Sequence, residues 1–222
     1  MTEKQYGIIG KPLSHSLSPR LHSFWFKKNN LKANYSLIEI EKKQIRDIIN
    51  KIRTKELHGL NVTVPYKQEV IPYLDLVIND AKETSSINTV YLNNENKIVG
   101  ENTDVYGFEQ SFLNKLTDQN LIEKNFLILG AGGVTPSLVY ALNKKKIKKV
   151  FISNRTLQKA ENIKTKFPFV EIVPWAKMYQ KSKEADVIIN ATSLGMKNNP
   201  DFETLVNKFK PNLIYFDVIY NP

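Results

Sequence analysis

The sequence predicts an α/β chain in two parts, an N-terminal α/β domain followed by a doubly wound parallel sheet. Three observations carry that class. Apolar runs such as Phe126-Leu127-Ile128-Leu129, Val150-Phe151-Ile152 and Val187-Ile188-Ile189 read as strands buried on both faces, as parallel strands are. Segments with apolar residues at helical spacing lie between them, which a βα repeat requires. In the first half only, Asn93-Asn94-Glu95-Asn96 separates two strand-like runs and reads as a hairpin turn. The expected boundary falls near Thr103, dividing the chain into 1–103 and 104–222.

In chain order, Tyr6-Gly7-Ile8-Ile9-Gly10 is a short buried strand ending on glycine. Ser18-Pro19 is a helix start, a hydroxyl cap followed by proline at the first helical position. Leu21, Phe24 and Trp25 then give that helix an apolar stripe. Tyr35 to Ile40 is a second strand, and a helix from about Lys42 to Arg53 carries Ile45, Ile48, Ile49 and Ile52 on one face. The stretch His58-Gly59-Leu60-Asn61-Val62-Thr63-Val64 alternates like a strand until Pro65 stops the ladder. Pro65 suits the first position of a helix, which would put Lys67 in its first turn. There the partial positive charge of the helix disfavours another cation, a useful setting for a proton-transfer group. A further helix runs from Ala81 to Ser86, the hairpin spans Ser86 to Glu101, and a helix from Asn102-Thr103-Asp104 continues through Phe108, Phe112 and Leu116.

The second half alternates more regularly. A strand at Phe126–Leu129 leads to a helix from Pro136 to Asn143, then a strand at Val150–Ser153 and a helix near Leu157 to Phe167. A strand at Val170–Val173, a helix from Trp175, and strands at Val187–Asn190 and Leu213–Asp217 complete the series.

Composition narrows the function. The chain has 222 residues with 41% hydrophobic and 24% charged, the profile of an ordinary folded protein. It holds no cysteine, and its three histidines, His15, His22 and His58, are scattered, so neither a disulfide framework nor a zinc site is expected. Net charge is +10, but only Arg20, Arg46, Arg53 and Arg155 among the 32 basic residues are arginine. Nucleic-acid readers lean on arginine's planar fork, so a lysine-rich solvated surface with an anionic small-molecule ligand is the better account. No apolar run approaches a membrane span and the N-terminus enters a strand at once, so a cytoplasmic protein is expected, a monomer or homodimer acting on a small molecule.

The glycine turn Gly130-Ala131-Gly132-Gly133-Val134 after Leu129 is the most specific local signal. Gly130 permits a tight turn, Gly132 lets backbone approach a pyrophosphate, and the following helix N-terminus offers free N–H groups. Thr135 stands where the usual third glycine would be. A strand-to-turn-to-helix context makes this a Rossmann-like dinucleotide site. About twenty residues on, Ser153-Asn154-Arg155-Thr156 and then Lys159 offer no carboxylate for a free ribose hydroxyl. A guanidinium, a hydroxyl and an ammonium suit a 2′-phosphate, so NADP is the expected cofactor. Asn154 and Thr156 also suit a helix start. Asp104 is a carboxylate at a helix start that could hold Lys67 in place, and Ser16 with Ser18 could bind a carboxylate beside a helix N-terminus.

Taken together, Ser16-Leu17-Ser18-Pro19, Asn61-Val62-Thr63-Val64-Pro65-Tyr66-Lys67, Asn88-Thr89, Asn102-Thr103-Asp104, the Gly130 turn, Asn154-Arg155-Thr156 and Asn190-Ala191-Thr192-Ser193-Leu194-Gly195-Met196 resemble shikimate dehydrogenase. The match runs in order over essentially the whole chain. The resemblance implies an NADP-dependent reduction of 3-dehydroshikimate to shikimate, on the route to chorismate and the aromatic amino acids. It implies that Lys67 and Asp104 form the catalytic pair, that Ser16 and Ser18 hold the substrate carboxylate, and that Thr63, Asn88 and Asp104 contact ring hydroxyls. Tyr220 would lie near the substrate. Gly130, Ala131, Gly132, Gly133, Val134, Asn154, Arg155, Thr156, Lys159, Thr192 and Val218 would line the cofactor, with Lys159 where the family often has arginine. Family members continue beyond the stretch matching Asp217–Pro222 with further helical segments, so a chain lacking that C-terminal part is expected. A quinate/shikimate dehydrogenase and a non-catalytic shikimate- or NADP-binding regulator are the alternatives.

Overall fold

The computed structural model describes residues 3–116, 121–196, 199 and 206–219, which divide into two compact units, Met1–Thr103 and Asp104–Pro222. In the first unit the strands are β1 (Lys4–Gly10), β2 (Ala33–Glu39), β3 (Gly59–Val62), β4 (Leu76–Val77), β5 (Thr89–Leu92) and β6 (Ile98–Glu101). They form one sheet in the order β2-β1-β3-β5-β6-β4. β1 pairs in parallel with β2 and β3, β5 is antiparallel to both β3 and β6, and the short β4 runs parallel to β6. Sequence patterning missed β4 because two residues give no periodicity to read.

Three helices, α1 (Ser18–Lys28), α2 (Ile45–Arg53) and α3 (Asp80–Thr84), belong to this unit. α2 behaves as its pattern predicts. A capping box starts the 3₁₀ turn at Lys42–Gln44 that leads into it: Glu41 N–H donates to Gln44 Oε1 at 2.7 Å. Ile45, Ile48, Ile49 and Ile52 are all buried, packed with Leu57, Leu60, Val62, Ile87 and Val90. Burying each such side chain stabilises by about 1.5–3 kcal/mol.

α1 does not. Its anticipated stripe faces outward: Leu21, Phe24 and Trp25 are 54%, 57% and 45% exposed. The helix instead meets the sheet through His22, stacked on Tyr35 at 4.1 Å, and Phe26, 5.5 Å from the Tyr6 ring. These two also stand four residues apart, so periodicity allowed either face. Burial holds the His22 imidazole below its ordinary pKa. The helix start also shifts by one residue. Leu17 occupies the cap position without a side-chain bond, and Ser18 is the first helical residue, its N–H donating to Ser16 Oγ at 3.3 Å.

The segment after β3 also departs from the expected helix. Val64-Pro65 is a cis peptide and no helix follows it. Tyr66 N–H bonds Thr63 O and Val70 N–H bonds Tyr66 O, a single turn that passes into a 3₁₀ turn at Ile71–Tyr73. Pro72 lacks the N–H that a longer helix would need. The helix-charge argument for Lys67 therefore does not apply.

The second unit contains α4 (Asp104–Ser111), β7 (Asn125–Leu129), α5 (Thr135–Lys144), β8 (Lys149–Asn154), α6 (Leu157–Lys166), β9 (Val170–Pro174), α7 (Met178–Ser182), β10 (Val187–Asn190) and β11 (Ile214–Asp217). The order is β11-β10-β7-β8-β9, with every pair parallel. Alternate residues of the central strands enter two cores: Phe126 and Ile128 one, Leu127 and Leu129 the other. That burial on both faces explains the unbroken apolar runs. The helix read from Asn102 to Leu116 is shorter, ending at Ser111 before a 3₁₀ turn at Leu113–Lys115. Among the described residues no helix is long and apolar enough to cross a membrane, and no group of His, Cys, Asp or Glu could hold a metal.

Candidate active site

In the first unit, strand direction gathers the anticipated substrate residues at one end of the sheet. β1 and β3 are parallel neighbours, so the loops after them, carrying Ser16 with Ser18 and Thr63 with Lys67, leave from the same end. β5 runs antiparallel to β3 and β6 antiparallel to β5, so Asn88 just before β5 and Thr103 just after β6 return to that end. The two loops are tied together: Thr63 N–H donates to Ile9 O at 2.9 Å and Lys11 N–H to Val64 O at 3.0 Å. Gly10 makes this approach possible, because a Cβ there would lie 2.9 Å from Val64 O and 2.4 Å from Thr63 Cγ2. Leu13 N–H donates to Glu39 Oε2 at 3.0 Å, and Lys11 pairs with Glu41, which anchors the serine loop from the other side.

Lys67 is only 9% exposed, unusual for a residue type that is almost always solvated. Its backbone is fixed by Ile87 N–H donating to Lys67 O at 2.7 Å, and the neighbouring Tyr66 hydroxyl donates to Ile40 O at 2.6 Å. Asn88 is held as firmly. Its Nδ2 donates to Thr103 Oγ1 at 2.9 Å, and its Oδ1 accepts from Thr103 N–H at 3.0 Å. Asn61 braces it from behind: Nδ2 donates to Asn88 O at 3.1 Å while Oδ1 accepts from the Tyr35 hydroxyl at 2.6 Å. Asn61 and Thr103 had no individual role in the sequence reading. The available signal for Asn61 was a polar residue on a strand between Leu60 and Val62. Tyr220 lies outside the described residues.

In the second unit, Asp104 is the first residue of α4. The anticipated cofactor residues follow the ends of β7, β8, β10 and β11, with Asn154 the last residue of β8 and Lys159 in the first turn of α6, at the C-terminal edge of a parallel sheet whose order reverses between β7 and β10. That crevice is where open α/β sheets bind dinucleotides. Gly130 has φ +107°, and a Cβ there would sit 2.5 Å from Ala191 O. Gly132 has ordinary room, its nearest such neighbour being Ala191 O at 3.9 Å. Thr135, in the place of the missing glycine, is fully buried and its hydroxyl donates to Gly130 O at 3.1 Å. The turn runs through Ala131, Gly132, Gly133 and Val134, which is the cap residue of α5 and makes no side-chain cap.

Asn154 has a different part from a helix cap. Its Oδ1 accepts from Ala131 N–H at 3.1 Å and its Nδ2 donates to Thr156 O at 2.8 Å, so it ties the glycine turn to the loop after β8. Thr156 occupies the cap position of α6 without a side-chain bond. Arg155 and Lys159 are exposed and form no ion pair among the described residues. Two uncommitted cations and no carboxylate from Ser153 to Lys159 fit the 2′-phosphate of NADP better than a bare ribose. Thr192 sits in the loop after β10, and Val218 follows β11 with its N–H donating to Asn190 O at 3.1 Å.

Comparison with known proteins adds family information to this geometry. The description "Shikimate dehydrogenase substrate binding domain" matches residues 8–90, and "Shikimate / quinate 5-dehydrogenase" matches residues 112–219. A shikimate dehydrogenase (NADP(+)) of Pelagibacter ubique is 43% identical over 99% of this chain and 80% of its own length. The crystal structure of shikimate dehydrogenase from Aquifex aeolicus is similar with a TM-score of 0.86 and 37% identity, covering 98% of this chain and 79% of that one. A Thermus thermophilus shikimate 5-dehydrogenase in complex with NADP(H) and shikimate has a TM-score of 0.81 at 27% identity, over 99% of this chain and 80% of the other.

Proposed function

The chain belongs to the shikimate dehydrogenase family, and we propose that it interconverts 3-dehydroshikimate and shikimate with NADP through Lys67 and Asp104. The observation that carries this reading is a lysine held 9% exposed at the end of the sheet where Ser16, Ser18, Thr63 and Asn88 also stand. NADP, when bound, supplies hydride transfer. The chain supplies the rest. Lys67 gives a proton to the ketone oxygen in reduction and takes it from the alcohol in oxidation, and Asp104 orients its ammonium group. Ser16 and Ser18 hydrogen-bond the substrate carboxylate, with Thr63, Asn88 and Asp104 on the ring hydroxyls and Tyr220 beside the substrate. The N–H groups at the start of α5 and the turn from Gly130 to Val134 bind the pyrophosphate, with Asn154, Arg155, Thr156 and Lys159 on the adenosine side. Thr192 and Val218 line the other half. The division of labour follows the domains, substrate on 1–103 and cofactor on 104–222, in a cytoplasmic monomer or homodimer.

The test is shikimate oxidation by the purified chain, followed by absorbance of the reduced nicotinamide with NADP and separately with NAD. Turnover with NADP that Lys67→Ala abolishes supports the reading. No turnover by the folded wild-type chain, or turnover indifferent to Lys67, sinks it.

A further inference from the structure

We propose that Asn190 is the positioning residue that locks the two loops on the β10–β11 side of the cofactor crevice into one rigid piece. This rests on the dinucleotide reading above. Asn190 ends β10, is 1% exposed, and its side-chain hydrogen bonds go to no position assigned to substrate or adenosine. Its carboxamide is fully committed. Oδ1 accepts from Thr192 N–H at 3.1 Å and from the Thr192 hydroxyl at 2.7 Å. Nδ2 donates to Leu194 O at 3.0 Å and to the Asp217 carboxylate at 3.1 and 3.2 Å. A carboxamide has two donor hydrogens and two acceptor lone pairs, so this count saturates it. The orientation is chemically forced, because a carboxylate must face the NH₂ and an N–H must face the oxygen.

The consequences reach both loops. Thr192 Oγ1 also accepts from Leu194 N–H at 3.0 Å, so its hydroxyl proton is engaged by Asn190 while the oxygen closes the turn. Asp217 Oδ1 accepts from Ile219 N–H at 2.9 Å, and Val218 N–H donates to Asn190 O at 3.1 Å. One buried side chain therefore sets Thr192 after β10 and, through Asp217, the Val218–Ile219 segment after β11. Arg155 and Lys159 follow β8, on the β8–β9 side of the crevice. A dinucleotide spanning that crevice puts its other nucleotide, the one bearing the reacting ring, on the β10–β11 side. Asn190 accordingly acts on how that ring is held, more than on how tightly the cofactor binds as a whole.

Aspartate at 190 keeps shape and acceptor but faces its charge toward Asp217 and Leu194 O. The decisive experiment compares Asn190→Asp, Asp217→Asn and the double variant Asn190→Asp/Asp217→Asn with the wild type. The expected result is a fall of about tenfold in kcat for N190D with the NADP dissociation constant changed less than about threefold, because binding on the Arg155 side is left intact. D217N should lose less than N190D, because an asparagine oxygen still accepts from Asn190 Nδ2 and Ile219 N–H, and the double variant should recover part of the N190D loss because the amide and carboxylate have exchanged places. Amide hydrogen exchange, read without cofactor, should quicken at 192–196 and 218–219 in N190D while the glycine turn keeps wild-type protection. Exchange that quickens uniformly, or not at all in those loops, overturns the proposal, as does a double variant no better than N190D. An inactive wild type would defeat the dehydrogenase reading instead, and the exchange pattern would still decide the loop coupling.

Discussion

The two units build their candidate sites from different material. The first uses side chains: a buried lysine, serines on a tethered loop, and an asparagine clamped by Thr103 and Asn61. The second uses backbone: a glycine turn at φ +107°, the start of α5 with no side-chain cap, and two exposed cations at its margin. Side-chain sites fail when one functional group goes. Backbone sites tolerate most side-chain changes nearby and fail when the chain path is disturbed. Turnover and cofactor binding should thus be separable by where a substitution falls.

The sharpest way to break that separation is Lys67→Ala. Removing a general acid–base should lower kcat by about 10²–10⁴-fold while NADP affinity, measured by fluorescence titration, stays within about twofold. A comparable loss in NADP affinity would mean the two halves are not separable. Gly130→Ala should come next. Its Cβ would meet Ala191 O at 2.5 Å in a backbone region unfavourable for alanine, so about 1–3 kcal/mol of stability and most cofactor affinity should be lost. Thermal unfolding with and without NADP checks both. Arg155→Ala should weaken NADP by roughly 10–100-fold, the range of a lost charge-assisted hydrogen bond, and leave NAD nearly unaffected. The ratio of kcat/KM values for the two cofactors reads this directly. Thr135→Val should be the mildest, costing about 1 kcal/mol for one buried hydrogen bond to Gly130 O, with kcat unchanged. A kcat loss there would show that the turn's exact path matters beyond affinity.

The helices of the first unit show how far pattern alone reaches. α2 and α1 both carry apolar residues at helical spacing, and both are helices. In α2 the four isoleucines had one possible destination, and all are buried. In α1, Leu21, Phe24 and Trp25 competed with His22 and Phe26 for the sheet, and the aromatic partners Tyr35 and Tyr6 on β2 and β1 decided for the latter. Lys67 teaches the same lesson at the site. The stretch Asn61-Val62-Thr63-Val64-Pro65-Tyr66-Lys67 singles Lys67 out as a candidate, but the helix N-terminus expected around it does not form. Burial after a tight turn is what distinguishes it, and burial is a property of the packed loops.

The amino-acid order by itself determined the alternation of strand and helix, the doubly wound second unit, the glycine turn and the basic loop after β8. Each of those is a short-range consequence of periodicity, backbone freedom or local charge, so neighbouring residues suffice to specify it. Only the tertiary structure decided which face of α1 meets the sheet, that Asn88 is clamped by Thr103 fifteen residues away, and that Asn190 joins Asp217 twenty-seven residues away. Hydrogen bonds across such separations depend on strand order and direction, which no local pattern encodes.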